Sequence, residues 1–233
     1  MKVVLVGYGK MGKEVERVLL ERGYEVIGRV ERGGDFGVIM EGDFVVEFAL
    51  PDATIPALEV AREYGKKYIL GTTGHSQEQL KTIKEFGNYI PIVHSSNFSV
   101  GVFLLKEAIR TLMPYIKGWD VEIVEIHHKW KKDSPSGTAL SIAKLFEREI
   151  TKCRTGERKE GEIGVFGVRG GDVFGEHTVY MFSEGERVEI SHKLSTRRAL
   201  ANGVVLSLEF LKGKNKGYFT FDEVLRESFT SQL

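Results

Sequence analysis

The chain has 233 residues, 42% of them hydrophobic and 28% charged, which is enough apolar material for a buried core and excludes a disordered chain or a coiled coil. Its 33 basic residues are balanced by 33 acidic ones, so the clustered positive excess that phosphate backbones require is missing and no nucleic-acid partner is expected. The single cysteine, Cys153, excludes an internal disulfide and a thiolate metal cage, and the apolar stretch before Gly7 is too short for a signal sequence or membrane span, so a cytoplasmic protein is expected.

Residues 2–6 form a short apolar run closed by Gly7, the pattern of a strand buried on both faces. From Lys13 onward Val15, Val18 and Leu19 mark a helical stripe that ends at Gly23. Further strands are expected at 25–30, 44–50, 67–70 and 90–94, with helices at 54–64 after Pro51 and from the Ser76-x-x-Gln79 capping box to about 86. This alternation predicts an α/β fold, a Rossmann-type doubly wound parallel sheet. Beyond Asn97 the pattern changes to a long helix at 100–115 and a half-exposed strand at 120–128. A helical run at 139–149 and strands at 163–169, 176–182 and 187–194 follow, giving a smaller α+β domain with an open mixed sheet. A helix at 198–211 and a tail containing 217–221 complete the chain.

Gly7-Tyr8-Gly9-Lys10-Met11-Gly12 reads G-x-G-x-x-G between a strand and a helix, where glycines let the backbone approach a pyrophosphate held by helix N-terminal amides. Glu31 ends the second strand, where an acid binds the ribose hydroxyls, and the adjacent Arg32 suits a 2′-phosphate; NADH and NADPH are both expected to serve. Gly71, Thr72 and Thr73 follow the fourth strand and Ser95, Ser96, Asn97 and Phe98 the fifth, both at the carboxyl edge where such sheets bind ligands.

The densest cluster of chemical groups spans 125–138, Glu-Ile-His-His-Lys-Trp-Lys-Lys-Asp-Ser-Pro-Ser-Gly-Thr. Ser136-Gly137-Thr138 opens a helix and is suited to a carboxylate, and the histidines and lysines surround it with donors. Histidine's ordinary pKa of about 6.5 makes one of His127 and His128 a candidate general acid. A metal site is not expected: strand neighbours face opposite ways, and three lysines oppose a cation.

These residues resemble the dihydrodipicolinate reductase family over nearly the whole chain. The similarity is most specific at 125–138, which parallels the family's E-x-HH-x-x-K-x-D-[AS]-PSGTA signature. Gly71–Gly74, the Asn97-Phe98-Ser99-Val100-Gly101 segment and Arg169-Gly170-Gly171 with Gly175-Glu176-His177-Thr178 add to it. The glycine loop is shorter by one residue than in many relatives. The resemblance implies reduction of 4-hydroxy-tetrahydrodipicolinate, a small cyclic dicarboxylate, with NADH or NADPH. His127 would be the proton donor and Lys131 the main catalytic and substrate-binding lysine. His128, Gly137 and Thr138 would bind substrate carboxylates, and the residues named above would hold the cofactor. The resemblance further implies a nucleotide-binding domain of residues 1–98 rejoined by 198–233, a substrate and oligomerisation domain of 99–197, and a homotetramer. Another nicotinamide-dependent amino-acid dehydrogenase, or a dinucleotide sensor without turnover, is the alternative.

Overall fold

In the computed structural model residues 1–230 are described, and the chain falls into two compact units, residues 1–100 with the segment from Arg197 onward, and residues 101–196. The first unit is built on a six-stranded sheet in the order β11-β5-β4-β3-β1-β2, from β1 (Lys2–Val6), β2 (Glu25–Val30), β3 (Phe44–Glu47), β4 (Lys67–Leu70), β5 (Pro91–His94) and β11 (Gly217–Thr220). Every pairing in it is parallel. Val4, Val6, Val45, Tyr68, Leu70 and Ile92 pack in one core with Ala57, Leu58, Ala61 and Ile83 from the flanking helices, which is why these strands read as unbroken apolar runs. The order reverses between β1 and β3, and that is where a doubly wound sheet opens a crevice at its carboxyl edge.

Helix α1 (Lys10–Glu21) starts inside the glycine motif, earlier than the apolar stripe indicated, because Gly9 itself is its N-cap. α2 (Pro51–Glu63) begins on Pro51, whose fixed φ suits a first helical position, and α3 (Gln77–Phe86) has the expected Ser76–Gln79 capping box. The third strand is shorter than its apolar run: it stops at Glu47, and Phe48, Ala49 and Leu50 leave the sheet to line the crevice. Their hydrophobicity reflects a cavity wall and not strand pairing. A 3-10 segment, Phe36–Glu41, went unnoticed in the sequence.

The C-terminal segment supplies α6 (Arg198–Lys212), β11 beside β5, and α7 (Phe221–Thr230). Lys67 on β4 donates to the carbonyls of Leu211 and Lys212 at 2.7 and 2.6 Å, capping α6. α7 is not foreseen in the sequence, because its buried apolar stripe is only Phe221, Val224 and Leu225.

The second unit carries a five-stranded mixed sheet in the order β10-β9-β6-β8-β7, from β6 (Asp120–His127), β7 (Ile150–Lys152), β8 (Ile163–Arg169), β9 (Gly175–Ser183) and β10 (Glu186–Leu194). β9 runs antiparallel to β6 and β10, whereas β6, β8 and β7 are mutually parallel. Val121, Ile123, Val165, Val179 and Met181 face α4 (Val100–Leu112) and α5 (Gly137–Ala143) in its core. α4 ends before Pro114, since a residue preceding proline is pushed out of the helical region. α5 ends well short of residue 149, giving way to a 3-10 turn at Lys144–Phe146 and a left-handed Glu147, after which the short, unforeseen β7 begins. Among the described residues no helix is long and apolar enough to cross a membrane.

Candidate active site

The glycine motif is shaped by sterics that no side chain would satisfy. A Cβ on Gly7, whose φ is +88°, would lie 2.2 Å from the Phe48 carbonyl oxygen, and one on Gly12 2.3 Å from the Gly7 oxygen. At Gly9 the space is open, and the first turn of α1 carrying Lys10 and Met11 has no acidic residue, so its amide end faces outward with its positive charge intact. A cavity of about 600 Å³ lies beside it, lined by Gly7, Tyr8, Gly9, Glu31, Arg32 and the 48–53 segment among others. Tyr8 is held by its hydroxyl, which donates to Glu16, and Glu16 is in turn paired with Arg29. Diphosphate at the α1 amides and ribose hydroxyls at Glu31 fit this arrangement.

The other expected cofactor residues lie farther along the same carboxyl edge and are not among those lining the cavity. Gly71 follows β4 with its N–H on the Glu47 carbonyl at 2.8 Å, Thr73 is exposed, and the Thr72 side chain turns inward. After β5, the Ser95 hydroxyl donates to the Asn97 carbonyl and accepts from the Asn97 N–H, while Ser96 is exposed. The Phe98 ring is buried against Phe48 and Phe221, so its side chain serves the core.

In the second unit, strand alternation puts Glu125 and His127 on the buried face of β6, and His128 follows the strand's last residue. Glu125 is fully buried and accepts from His127 Nδ1, from both Arg169 Nη atoms at 3.0 and 2.7 Å, and from the Ser136 N–H at 3.1 Å. Arg169 stands opposite His127 in the parallel β6–β8 register, which is how two residues 42 positions apart share one carboxylate. Burial alone would raise the Glu125 pKa, but the hydrogen bonds and charges of His127 and Arg169 outweigh it and hold it at about 2. Ring atom Nε2 of His127 faces Gly175, where a Cβ would stand 2.9 Å away. Buried His177 lies 5.3 Å from the His127 ring, with Nε2 3.3 Å from the Ser136 hydroxyl; burial, with the charges of His127 and His192, pushes it down to about 3, so it is neutral.

Lys131 Nζ donates to Asp133 at 2.8 Å in the loop after β6, and Ser136 caps α5 by accepting from the Ala139 N–H, which sets Gly137 and Thr138 in the helix's first turn. His127, His128, Lys131, Gly137 and Thr138 thus belong to one strand-loop-helix segment. No group of three or more His, Cys, Asp and Glu among the described residues is arranged to hold a metal ion. In the sequence Glu125 stands out only as the first residue of the 125–138 signature and Arg169 only as part of a glycine-rich pattern; the i, i+2 spacing of Glu125 and His127 on one strand is the signal for their contact.

The low pKa of Glu125 has a sign that can be tested. Because the folded value of about 2 lies below the ordinary 4.5, its anion stabilises the fold above 4.5, and that contribution is lost as pH falls toward 2. Glu125→Gln is expected to melt lower than the parent at neutral pH, with the gap narrowing between about pH 5 and pH 3 in thermal scans. A gap independent of pH would mean that the carboxylate's charge contributes nothing.

The family model described as "Dihydrodipicolinate reductase, N-terminus" matches residues 1–98, and "Dihydrodipicolinate reductase, C-terminus" matches 101–225. The 4-hydroxy-tetrahydrodipicolinate reductase of Archaeoglobus fulgidus is 35% identical over an alignment covering 97% of this chain and 100% of the relative. That of Aquifex aeolicus is 36% identical, covering 97% and 98%. Among solved structures, a dipicolinate-bound dihydrodipicolinate reductase from Paenisporosarcina sp. TG-14 superposes with a TM-score of 0.75 over 94% of this chain and 97% of that one, at 20% identity, a likeness of fold. With both of its units matched in this way, the chain belongs to the dihydrodipicolinate reductase family.

Proposed function

We propose that His127 and Lys131 are the residues with which this chain reduces 4-hydroxy-tetrahydrodipicolinate to tetrahydrodipicolinate, with loss of water. The chain is an NAD(P)H-dependent oxidoreductase of the diaminopimelate route to lysine, a reading carried by the cover of both units by the reductase family. When bound, NADH or NADPH supplies the hydride for ring C4 of the substrate; Gly7 to Gly12, with Glu31 and Arg32, would hold it, together with the 71–73 and 95–98 segments.

The assignment of the acid rests on the Glu125–His127 pair. Glu125 engages Nδ1 of His127, which fixes the ring and leaves Nε2, on the Gly175 side, as the nitrogen that carries the transferable proton. Arg169 and the Ser136 N–H satisfy the remaining acceptor sites of Glu125, so the carboxylate is held as an anion beside the ring. The Lys131–Asp133 pair is exposed on the Asp133 side, and such pairs contribute only about 0 to 1 kcal/mol. A substrate carboxylate can therefore take Asp133's place on Lys131. His128, Gly137 and Thr138 complete the carboxylate site at the positive end of α5. We further assign the chain to the cytoplasm and to a homotetramer; the open outer edge of β10 supports assembly through this sheet.

The test is an absorbance assay of NADH and NADPH oxidation with freshly generated 4-hydroxy-tetrahydrodipicolinate. Turnover with both cofactors is expected; cofactor binding without turnover would make the chain a sensor and overturn the reading. Within it, Glu31→Ala should weaken NADH much more than NADPH, since a carboxylate accepts from a free 2′-hydroxyl and repels a 2′-phosphate, and Arg32→Ala should do the reverse. Paired titrations decide: equal losses for both cofactors in both variants would remove these residues from cofactor selection.

A further inference from the structure

Glu47 ends β3 at the crevice where the strand order reverses, and its side chain is wholly buried. Its side-chain partners are three hydroxyls. Thr54 and Thr72 each donate to Oε1 at 2.6 Å, and Tyr68 donates to Oε2. The rest of the strand is Phe44, Val45 and Val46, so an apolar residue at its end would pack without the cost of burying a carboxylate. Burial outweighs the three hydroxyl bonds and raises the Glu47 carboxyl above its ordinary value, and burial with the neighbouring Glu47 pushes the Tyr68 phenol well up, so Tyr68 stays a donor.

Each threonine has one hydroxyl proton. With that proton committed to Glu47, the oxygen of each threonine is left to accept. Thr72 Oγ1 accepts from the Ala49 N–H at 2.9 Å, and Thr54 Oγ1 is 2.8 Å from His75 Nε2, which must then be the donor. One buried carboxylate thus sets the hydrogen-bond direction of a network that joins the segment after β3, including the cavity-lining Ala49, to the segment after β4 that carries Thr72 and His75.

We propose that Glu47 is a positioning residue for the dinucleotide: through the hydroxyls of Thr72 and Thr54 it locks the two segments at the carboxyl ends of β3 and β4 in the arrangement that receives the cofactor. The proposal rests on the reading of the glycine-loop cavity as a dinucleotide site. Titration of the parent protein with NADH tests that reading, and the variants test this one.

The experiment is a calorimetric titration of full-length variants with NADH, alongside thermal melts of the same proteins without it. Glu47→Leu keeps the bulk and removes the acceptor, and Thr72→Val cuts the same link from the other side; each is expected to raise the NADH dissociation constant by roughly tenfold or more. Because both sever one link, the double variant should be no weaker than the worse single variant. Glu47→Gln should restore affinity to within about threefold, since its amide oxygen can accept from both threonines while its NH₂ donates to Tyr68. Tyr68→Phe, which touches neither segment, should lower the melting temperature and leave NADH affinity unchanged. In steady state Glu47→Leu and Thr72→Val should raise the KM for NADH and leave that for the cyclic substrate unaltered. Should Glu47→Leu fail to fold, Thr72→Val alone and combined with Glu47→Gln carries the test. The proposal is overturned if folded Glu47→Leu and Thr72→Val bind NADH as the parent does, if their effects multiply in the double variant, or if Tyr68→Phe weakens NADH as much as they do.

Discussion

Replacing His127 by glutamine is expected to lower turnover by about 10² to 10⁴, the range typical of a lost general acid, with a smaller change in substrate binding. Hydride addition leaves electron density on the substrate ring that a proton must quench, and the proposed source of that proton is His127, whose ring is held by the buried Glu125. The amide of glutamine reproduces the hydrogen bond to Glu125 and roughly the shape of the ring, but it has no proton to give. The acidic-to-neutral limb of the pH–rate profile should flatten in this variant. His128 is the internal control: it lies beyond the end of β6 and outside the Glu125 pair, so His128→Gln should raise the Michaelis constant more than it lowers turnover. A larger turnover defect at His128 would invert the two assignments, and a loss below about tenfold at His127 would leave that ring a packing element.

The parts of this molecule that were legible in the sequence are those fixed by local rules. β1, β2 and β4 have the bounds their sequence runs indicated; β1 and β4 are almost wholly buried, which leaves little room for polar interruption, whereas β2, at the sheet's edge, is part-buried and carries Arg29. The capping box at Ser76 and Gln79 is likewise a contact between near neighbours. What escaped depends on partners distant in the chain. β11 is strand only because β5 offers it an edge 126 positions away, from Pro91 to Gly217. Phe48, Ala49 and Leu50 have strand composition, yet they leave the sheet where the Phe48 carbonyl lies over Gly7 and form a cavity wall. At the site the same division holds. The signature segment from Glu125 to Thr138 announced itself, whereas the contact of Arg169 with Glu125 follows from the β6–β8 register, and the Glu47 network from three hydroxyls on a helix, a strand and the loop after it.

Lys131→Ala is expected to abolish most turnover while leaving NADH affinity nearly intact, and that asymmetry is its diagnostic value. The lysine belongs to the same unit as His127 and to the loop that leads into α5, whereas the glycine motif, Glu31 and Arg32 belong to the other unit. Its side chain is only 23% exposed and is ion-paired with Asp133, itself 58% exposed, so the charge is neither locked in the core nor lost to bulk water. A charged hydrogen bond to a substrate carboxylate is worth about 1.5 to 3 kcal/mol, and more where water is excluded, which converts to a loss of at least tenfold to a hundredfold in kcat/KM. Lys131→Arg keeps the charge but replaces a compact ammonium with a planar fork, so it should recover substrate binding better than turnover. Asp133→Asn provides the opposite sign: with its competitor neutralised, Lys131 is freer to meet a carboxylate, and the Michaelis constant for the cyclic substrate should fall or hold steady. Steady-state kinetics on the three variants, with NADH titrations beside them, separate the cases. Unaltered rates in Lys131→Ala would remove the lysine from the mechanism, and an equal loss of NADH affinity would move it from the substrate to the cofactor.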